Sequence, residues 1–98
     1  MGLAKAKAAR KYRISGRVQG VGFRYFAERA ARAIGVSGYV KNCADGTVEV
    51  YAIGEAPALE ALKHQLTEGP RSAQVEKVEE SEMPVKGSYK GFEIEGGW

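Results

Sequence analysis

Residues 16–24 read Gly16-Arg17-Val18-Gln19-Gly20-Val21-Gly22-Phe23-Arg24, and the hydrophobic pattern changes its period within them. Ahead of this segment, Tyr12 and Ile14 alternate with polar residues, which predicts a first strand over residues 11–19. From Phe23 onward, apolar residues recur at helical spacing, which predicts a helix that Gly35 ends. The chain therefore passes from a strand into a helix through a turn with two closely spaced glycines.

The rest of the chain predicts further strands and one more helix. Asp45-Gly46 is typical of a hairpin turn, Gly69-Pro70 is typical of a helix end, and the apolar alternation breaks between Val75 and Val78, as at a β-bulge. The further elements are strands over residues 36–42, 47–53, 73–82 and 92–94 and a helix that begins near Pro57. This order predicts an α+β fold, a ferredoxin-like βαββαβ sandwich in which an antiparallel sheet carries two helices on one face, with a short extra strand.

A chain of 98 residues is long enough for one domain and too short for two. Its composition is typical of a soluble globular protein, and no stretch approaches the roughly 20 apolar residues of a membrane-spanning helix. The single cysteine, Cys43, excludes an internal disulfide and fits a reducing compartment, so we expect a cytoplasmic location. With His64 as the single histidine, no cluster remains for a zinc site.

Positive charge is concentrated at the start of the chain. Residues 1–24 carry seven lysines and arginines and no acidic residue, whereas the whole chain has a formal net charge of +3. We predict a basic, solvated tail over residues 1–10 and a domain over residues 11–98. Such a basic segment also suits an anionic partner, for example a phosphate group, a nucleic acid or a membrane surface.

The turn at residues 19–22 has the features of an anion-binding site. Glycines allow successive backbone N–H groups to converge, and the helix start adds N–H groups without helical partners and the positive end of the helix dipole. Arg24, at the beginning of that helix, can donate two parallel hydrogen bonds to the same anion. These residues predict a phosphate-sized cradle, although a turn of this composition can equally have a purely structural role.

Other phosphate and nucleotide motifs fit this segment poorly. Tyr25 stands where a dinucleotide fingerprint has its third glycine, and Arg24-Tyr25 stands where a Walker A loop has Lys-Ser/Thr. The aromatic residues near the glycines are superficially similar to an RNA-recognition motif, but that motif lies on a strand, whereas Phe23 here begins a helix. This placement argues against nucleic-acid binding.

Two motifs resemble those of the acylphosphatase family. The first is the segment at residues 16–24, and the second is Gly38-Tyr39-Val40-Lys41-Asn42-Cys43-Ala44-Asp45-Gly46-Thr47-Val48-Glu49. The resemblance extends over residues 11–95 and implies a ferredoxin-like fold and an enzyme that hydrolyses the carboxyl–phosphate bond of acyl phosphates without a metal or cofactor. It implies an acyl phosphate substrate and inorganic phosphate as small-molecule partners, with no nucleic-acid or membrane partner, and we expect a monomer.

The same resemblance implies the site residues. The backbone of the phosphate cradle maps onto Gln19, Gly20, Val21, Gly22, Phe23 and Arg24. Arg24 also maps onto the family's catalytic arginine, and Asn42 maps onto its catalytic asparagine, which would orient the attacking water. Tyr39 stands where the family often has tryptophan, and Cys43 and Ala44 lie in a variable loop. These departures bear on substrate preference and stability more than on the two catalytic positions.

Two other functions stay open on the residues alone. The basic front end suits a nucleic-acid-binding domain of ferredoxin-like fold, although the expected aromatic pair on the central strands is not evident. A non-catalytic module that captures phosphate or carbamoyl phosphate would use the same cradle. The intact pair of Arg24 and Asn42 favours a free-standing enzyme over such a module.

Overall fold

The computed structural model describes residues 6–87 and 89–96. Its elements follow in the order β1 (Ala8–Arg17), α1 (Phe23–Ile34), β2 (Ser37–Asn42), β3 (Val48–Gly54), α2 (Ala56–Glu68), β4 (Gln74–Met83) and β5 (Phe92–Glu95). The predicted order is confirmed, and the helices end at Gly35 and Gly69, as predicted. Within the described residues, neither helix combines the length and the apolar composition that crossing a membrane requires.

The sheet has the strand order β4-β1-β3-β2-β5. The first four strands pair antiparallel, as predicted, but β5 lies parallel to β2, with Gly38 opposite Phe92. The predicted antiparallel sheet of four strands is therefore confirmed, and the short extra strand, whose direction was not predicted, makes the whole sheet mixed. Because the chain turns back after β4 and adds β5 at the opposite edge, β5 runs against β4 and in the same direction as β2.

The first strand begins at Ala8, ahead of the predicted start at residue 11, and ends at Arg17. Ala9 pairs with Ile53 and Met83 and is 2% exposed, so residues 8–10 belong to the sheet and not to a solvated tail. Two adjacent alanines carry too weak a hydrophobic signal for the alternation to show in the sequence. Residues 1–5 of the predicted basic tail lie outside the described residues.

The predicted bulge in the fourth strand is confirmed. The register between β1 and β4 shifts between Ser15 and Gly16, which leaves Glu76 as an extra residue in β4. Gly16 has a φ of 126°, and a Cβ atom at this position would lie 2.2 Å from the Gln74 carbonyl oxygen. Glycine therefore allows β1 to approach the bulge closely, just before the turn that leads into α1.

Both helices pack on the same face of the sheet, and the main hydrophobic core lies between the helices and the sheet. The buried side chains of α2 are Leu59, Leu62 and Leu66, and the Tyr12 hydroxyl donates a hydrogen bond of 3.1 Å to the Leu59 carbonyl. Val18, just after β1, and Phe23, at the start of α1, are each 1% exposed. The core therefore holds the chain on both sides of the intervening turn.

Side chains, and not helices, cover part of the other face of the sheet. Tyr39 and Tyr51 stack with ring centroids 5.6 Å apart, and Tyr89 packs against both rings. The Tyr51 hydroxyl donates to the Pro84 carbonyl and accepts from the Lys86 N–H, each at 2.8 Å, which ties the β4–β5 loop to the sheet. Since Tyr51 is 6% exposed, its ring offers no open stacking surface to a nucleic-acid base.

A network of ion pairs joins β1, α2 and β4. Arg10 lies 2.6 Å from Glu60 and 2.9 Å from Glu80, and Lys63 lies 2.7 Å from Glu80. The hydrogen bond from Lys63 holds the pKa of Glu80 below its ordinary value of 4.5. A carboxylate whose pKa falls on folding stabilises the fold above its unfolded-state pKa, and this contribution is lost as the pH falls through its folded-state pKa.

Replacement of Gly16 by alanine is expected to lower the free energy of unfolding by about 2 kcal/mol or more, because the added carbon would meet backbone atoms at a strained φ. Gly91→Ala is the matched control. Nothing lies within 4 Å of a carbon added there, so a change within about 0.5 kcal/mol is expected. Urea unfolding measures both variants, and equal losses would contradict the close approach at the bulge.

The variant Glu80→Gln is expected to lower the free energy of unfolding by about 1 kcal/mol at neutral pH. The gap from wild type should narrow as the pH falls below 4.5, since the protonated wild-type side chain also loses its charge. Glu79→Gln is the control, because Glu79 is 52% exposed and pairs with Lys77 on the surface. Urea unfolding at neutral and acidic pH measures this difference in the free energy of unfolding. A difference that does not change with pH would argue against the ion-pair network.

Candidate active site

The turn between β1 and α1 is the segment predicted to bind a phosphate group. Gly20 and Gly22 have φ angles of 74° and 79°, a left-handed conformation that residues with side chains disfavour. Gly22 is the N-cap of α1 and has no side chain with which to cap the helix. The first N–H groups of α1 therefore have no helical or capping partner, and they are available to an anion.

A small cavity of about 90 Å³ lies at this turn. Its lining residues are Val18, Gly20, Gly22, Phe23, Arg24, Tyr25 and Asn42. Arg24 lies in the first turn of α1, and Asn42 is the last residue of β2. The fold thus brings the two predicted catalytic residues, which belong to different elements, to one cavity beside the glycine turn.

The six predicted cradle residues divide into two groups. Those that line the cavity are Gly20, Gly22, Phe23 and Arg24. Gln19 does not line it, and its side chain donates hydrogen bonds to the hairpin between β2 and β3. Val21 packs against the core, and its carbonyl accepts a hydrogen bond of 2.7 Å from the Ser72 hydroxyl. The catalytic and binding roles that the resemblance implies stay predictions.

Polar side chains hold the hairpin loop that follows Asn42. Asp45 accepts hydrogen bonds from the Thr47 N–H at 3.0 Å and from the Thr47 hydroxyl at 2.6 Å. Arg13 donates to the other carboxylate oxygen of Asp45 at 3.1 Å. The two Thr47 hydrogen bonds, with a smaller effect of the Arg13 charge, hold the pKa of Asp45 below its usual range. The loop that follows Asn42 is therefore stabilised by the ionised side chain of Asp45.

Positive charge at the cavity comes from one arginine and from the backbone. Arg24 is the one charged side chain among the lining residues, and no carboxylate in the described part of the chain forms an ion pair with it. The start of α1 adds the positive end of the helix dipole. Across residues 6–87 and 89–96, no group of three or more His, Cys, Asp or Glu side chains is placed to hold a metal ion.

A larger groove, of about 560 Å³, lies at the other end of the sheet. It is bordered by the end of α1 at Gly35, the start of α2 after Glu55 and the start of β5 at Phe92. Neither Arg24 nor Asn42 lines this groove. The smaller cavity is therefore the candidate active site, because it lies at the glycine turn before α1 and both predicted catalytic residues line it.

Two further residues lie close to the cradle. Tyr25, which follows Arg24 in the sequence, lines the cavity and is 64% exposed. Ser72 contacts Val21 from the loop between α2 and β4, 51 positions further along the chain. Ser72 could not be predicted from the sequence, because no local motif relates residues that are so far apart.

Comparisons with known proteins point to one family. The acylphosphatase family model matches residues 10–94. A protein named acylphosphatase from Koribacter versatilis is 44% identical over 96 residues, which cover 98% of this chain and 87% of that protein. A second, from Solibacter usitatus, is 48% identical over 86 residues and covers 88% of each chain.

Solved structures share the fold. The structure of an acylphosphatase from Coxiella burnetii is similar with a TM-score of 0.86 at 35% identity, covering 91% of this chain and 93% of that one. A full-length HypF in a phosphate- and nucleotide-bound form has a TM-score of 0.85 at 30% identity, but the match covers only 13% of that protein. The family model and the relatives of similar length together span nearly the whole chain, which therefore belongs to the acylphosphatase family.

Proposed function

We propose that this chain hydrolyses acyl phosphates to a carboxylate and inorganic phosphate, with the cradle at residues 19–24 binding the phosphoryl group. The observation that carries the proposal is the convergence of Arg24 and Asn42 on one small cavity at the start of α1. The relatives of similar length that are named acylphosphatases support this substrate class.

Arg24 and the backbone N–H groups bind the phosphoryl oxygens in this mechanism. A guanidinium group presents two parallel donors to two oxygens of one phosphoryl group. These donors are already in place when negative charge shifts during the reaction, so they stabilise the transition state without reorganisation. Phosphoryl transfer depends mainly on such positioning and charge stabilisation. No residue of the cradle has to gain or lose a proton.

Asn42 orients the attacking water. Its side-chain carbonyl oxygen accepts a hydrogen bond from the water and directs the water oxygen at phosphorus, in line with the acyl oxygen. A carboxamide does not titrate in the useful range, so Asn42 positions the water without taking its proton. The water oxygen bonds to phosphorus as the bond from phosphorus to the acyl oxygen breaks, and the proton passes to the substrate or to solvent.

The lining of the cavity suits acyl phosphates better than phosphate monoesters. A carboxylate leaving group is a weak base and departs without a general acid, whereas an alkoxide leaving group needs an acid or a metal ion. The residues that line the cavity include no histidine and no carboxylic acid. Hydrolysis of an acyl phosphate therefore requires this site only to bind the phosphoryl group and to orient the attacking water.

The proposal extends to assembly and location. Arg24 and Asn42 come from the same chain, which supports activity as a monomer. The single free thiol, at Cys43, supports a reducing, cytoplasmic environment. The partners are then the small acyl phosphate substrate and the inorganic phosphate product.

The variants Arg24→Lys and Arg24→Gln are expected to lower kcat/KM for benzoyl phosphate by about 100-fold or more, since loss of one preorganised donor costs about 10²–10³ in rate. Lysine keeps the charge but loses the paired donors. Arg29→Lys, at an exposed position of the same helix, is the control and should match wild type. The assay follows loss of substrate in the presence of excess chelator, which also tests the metal-free reaction.

Three outcomes of this assay are informative. Rapid hydrolysis by wild type with an inactive Arg24→Gln variant supports the proposed site. Full activity in Arg24→Lys would mean that the role assigned to Arg24 is wrong. A folded wild type that binds inorganic phosphate but hydrolyses nothing would be a phosphate-binding module, and the enzymatic proposal would fail.

The variant Asn42→Ala is expected to lower kcat by about 100-fold while the Kd for inorganic phosphate changes by less than about threefold, because Asn42 contacts the water and not the phosphate. Initial rates and phosphate titration measure the two effects. Lys41→Ala, the neighbouring position in β2 outside the cavity lining, is the control. A parallel loss of phosphate affinity would mean that Asn42 supports the cradle instead of the water.

A further inference from the structure

The Gln19 side chain links the cradle to the hairpin that follows Asn42. Its amide nitrogen donates two hydrogen bonds of 2.8 Å, one to the Cys43 carbonyl and one to the Thr47 carbonyl. A carboxamide has two N–H donors, so both are used on this one loop. Gln19 is also the first residue of the turn that forms the cradle, and its two bonds therefore connect the two halves of the candidate active site.

The hairpin loop closes without Gln19. The Cys43 carbonyl also accepts from the Gly46 N–H at 3.1 Å, and the Cys43 N–H donates to the Thr47 carbonyl at 2.8 Å. Each of the two carbonyls thus uses one lone pair within the loop and the other for Gln19. The Gln19 hydrogen bonds therefore do not build the loop, and they set its position relative to the cradle.

We propose that Gln19 is a positioning residue for the hydrolysis, because its amide fixes the water-orienting Asn42 at a set distance from the phosphate cradle. This inference rests on the proposed function. In-line attack tolerates little displacement, and a shift of about 1 Å in a reacting group can cost about 100-fold in rate. The resemblance implied a role for the backbone of Gln19 alone, and the side chain adds a separate one.

Gln19→Leu tests the inference, because leucine removes both donors and keeps a side chain of similar size. We expect kcat for benzoyl phosphate to fall by about 10- to 100-fold, while the Kd for inorganic phosphate stays within about twofold of wild type. Gln65→Leu, at an exposed position of α2, is the matched control and should keep wild-type kinetics. An unchanged kcat in Gln19→Leu would overturn the inference.

A double-mutant cycle separates positioning from a general structural role. If Gln19 acts through Asn42, Gln19→Leu should cost little further activity once Asn42 has been replaced by alanine. The losses in kcat would then be non-additive. Additive losses would show that Gln19 acts on another part of the molecule and would overturn the inference.

Gln19→Glu provides a second test, in which the pH changes the hydrogen bonding of a single variant. An ionised carboxylate would face two carbonyl oxygens, whereas the protonated form can donate a hydrogen bond to one of them. The kcat of this variant relative to wild type is therefore expected to rise as the pH is lowered from 8 to 5. A ratio that does not change with pH would contradict the proposed contact.

The wild-type rate in the same assays distinguishes this inference from the proposed function. A folded wild type that binds phosphate without turnover rejects the proposed function and this inference with it. An active wild type with an unimpaired Gln19→Leu variant rejects this inference alone.

A different contact supports a second inference, about the peptide between Val21 and Gly22. The Ser72 hydroxyl donates to the Val21 carbonyl at 2.7 Å. In a trans peptide the carbonyl and the following N–H point in opposite directions, so the Gly22 N–H points away from Ser72. Gly22 lines the cavity and Ser72 does not. We infer that Ser72 keeps the Gly22 N–H directed at the phosphate.

Ser72→Ala should raise the Kd for inorganic phosphate and the KM by about fivefold, the effect of one ordinary hydrogen bond, with kcat within about twofold. This is the reverse of the split expected for Gln19→Leu. Ser72→Thr keeps a hydroxyl and should restore the affinity, and Ser81→Ala, exposed on β4, is the control. An unchanged Kd in Ser72→Ala would overturn the inference. Titration with inorganic phosphate measures this Kd and does not depend on enzymatic turnover.

Discussion

Burial of Val18 and Phe23 in the core constrains the turn that carries the proposed phosphate cradle. Both side chains are 1% exposed, and they stand on either side of the turn at residues 19–22. With both ends held, four residues have to lead the chain from β1 into α1, and Gly20 and Gly22 make this possible through left-handed conformations. Such conformations bring successive N–H groups to one side of a turn. The proposed anion site thus depends on a packed core that fixes the end of a strand and the start of a helix on either side of the turn.

The two halves of the site meet because of the strand order. β1 and β2 both pair antiparallel with β3, so they run in the same direction and end at the same end of the sheet. The cradle follows the end of β1, and Asn42 is the end of β2. Gln19 spans the gap between them with a side chain, and Ser72 supports the cradle from the loop after α2. Donors that are fixed in this way need no rearrangement when charge develops in a transition state.

Most of the fold could be predicted from local chemistry. Gly35 ends α1 in a left-handed conformation, and the break in alternation near Val75 marks the bulge, because each signal lies within a few residues of the feature it indicates. The start of β1 at Ala8 and the direction of β5 could not be predicted in the same way. Both depend on which distant strand accepts the pairing, and hydrophobic periodicity carries no information about partners.

The same division applies to the site. Two glycines, a helix start and Arg24 stand within residues 16–24, so that segment alone predicts a phosphate-sized anion site. The resemblance to the acylphosphatase family indicated Asn42. That Asn42 lines the same cavity as Arg24 depends on the order of the strands. The hydrogen bonds of Gln19 and Ser72 join residues that are 24 to 51 positions apart. A sequence pattern shows which residues share a face of one element, whereas packing decides which elements become neighbours, and these contacts exist only once the elements have packed.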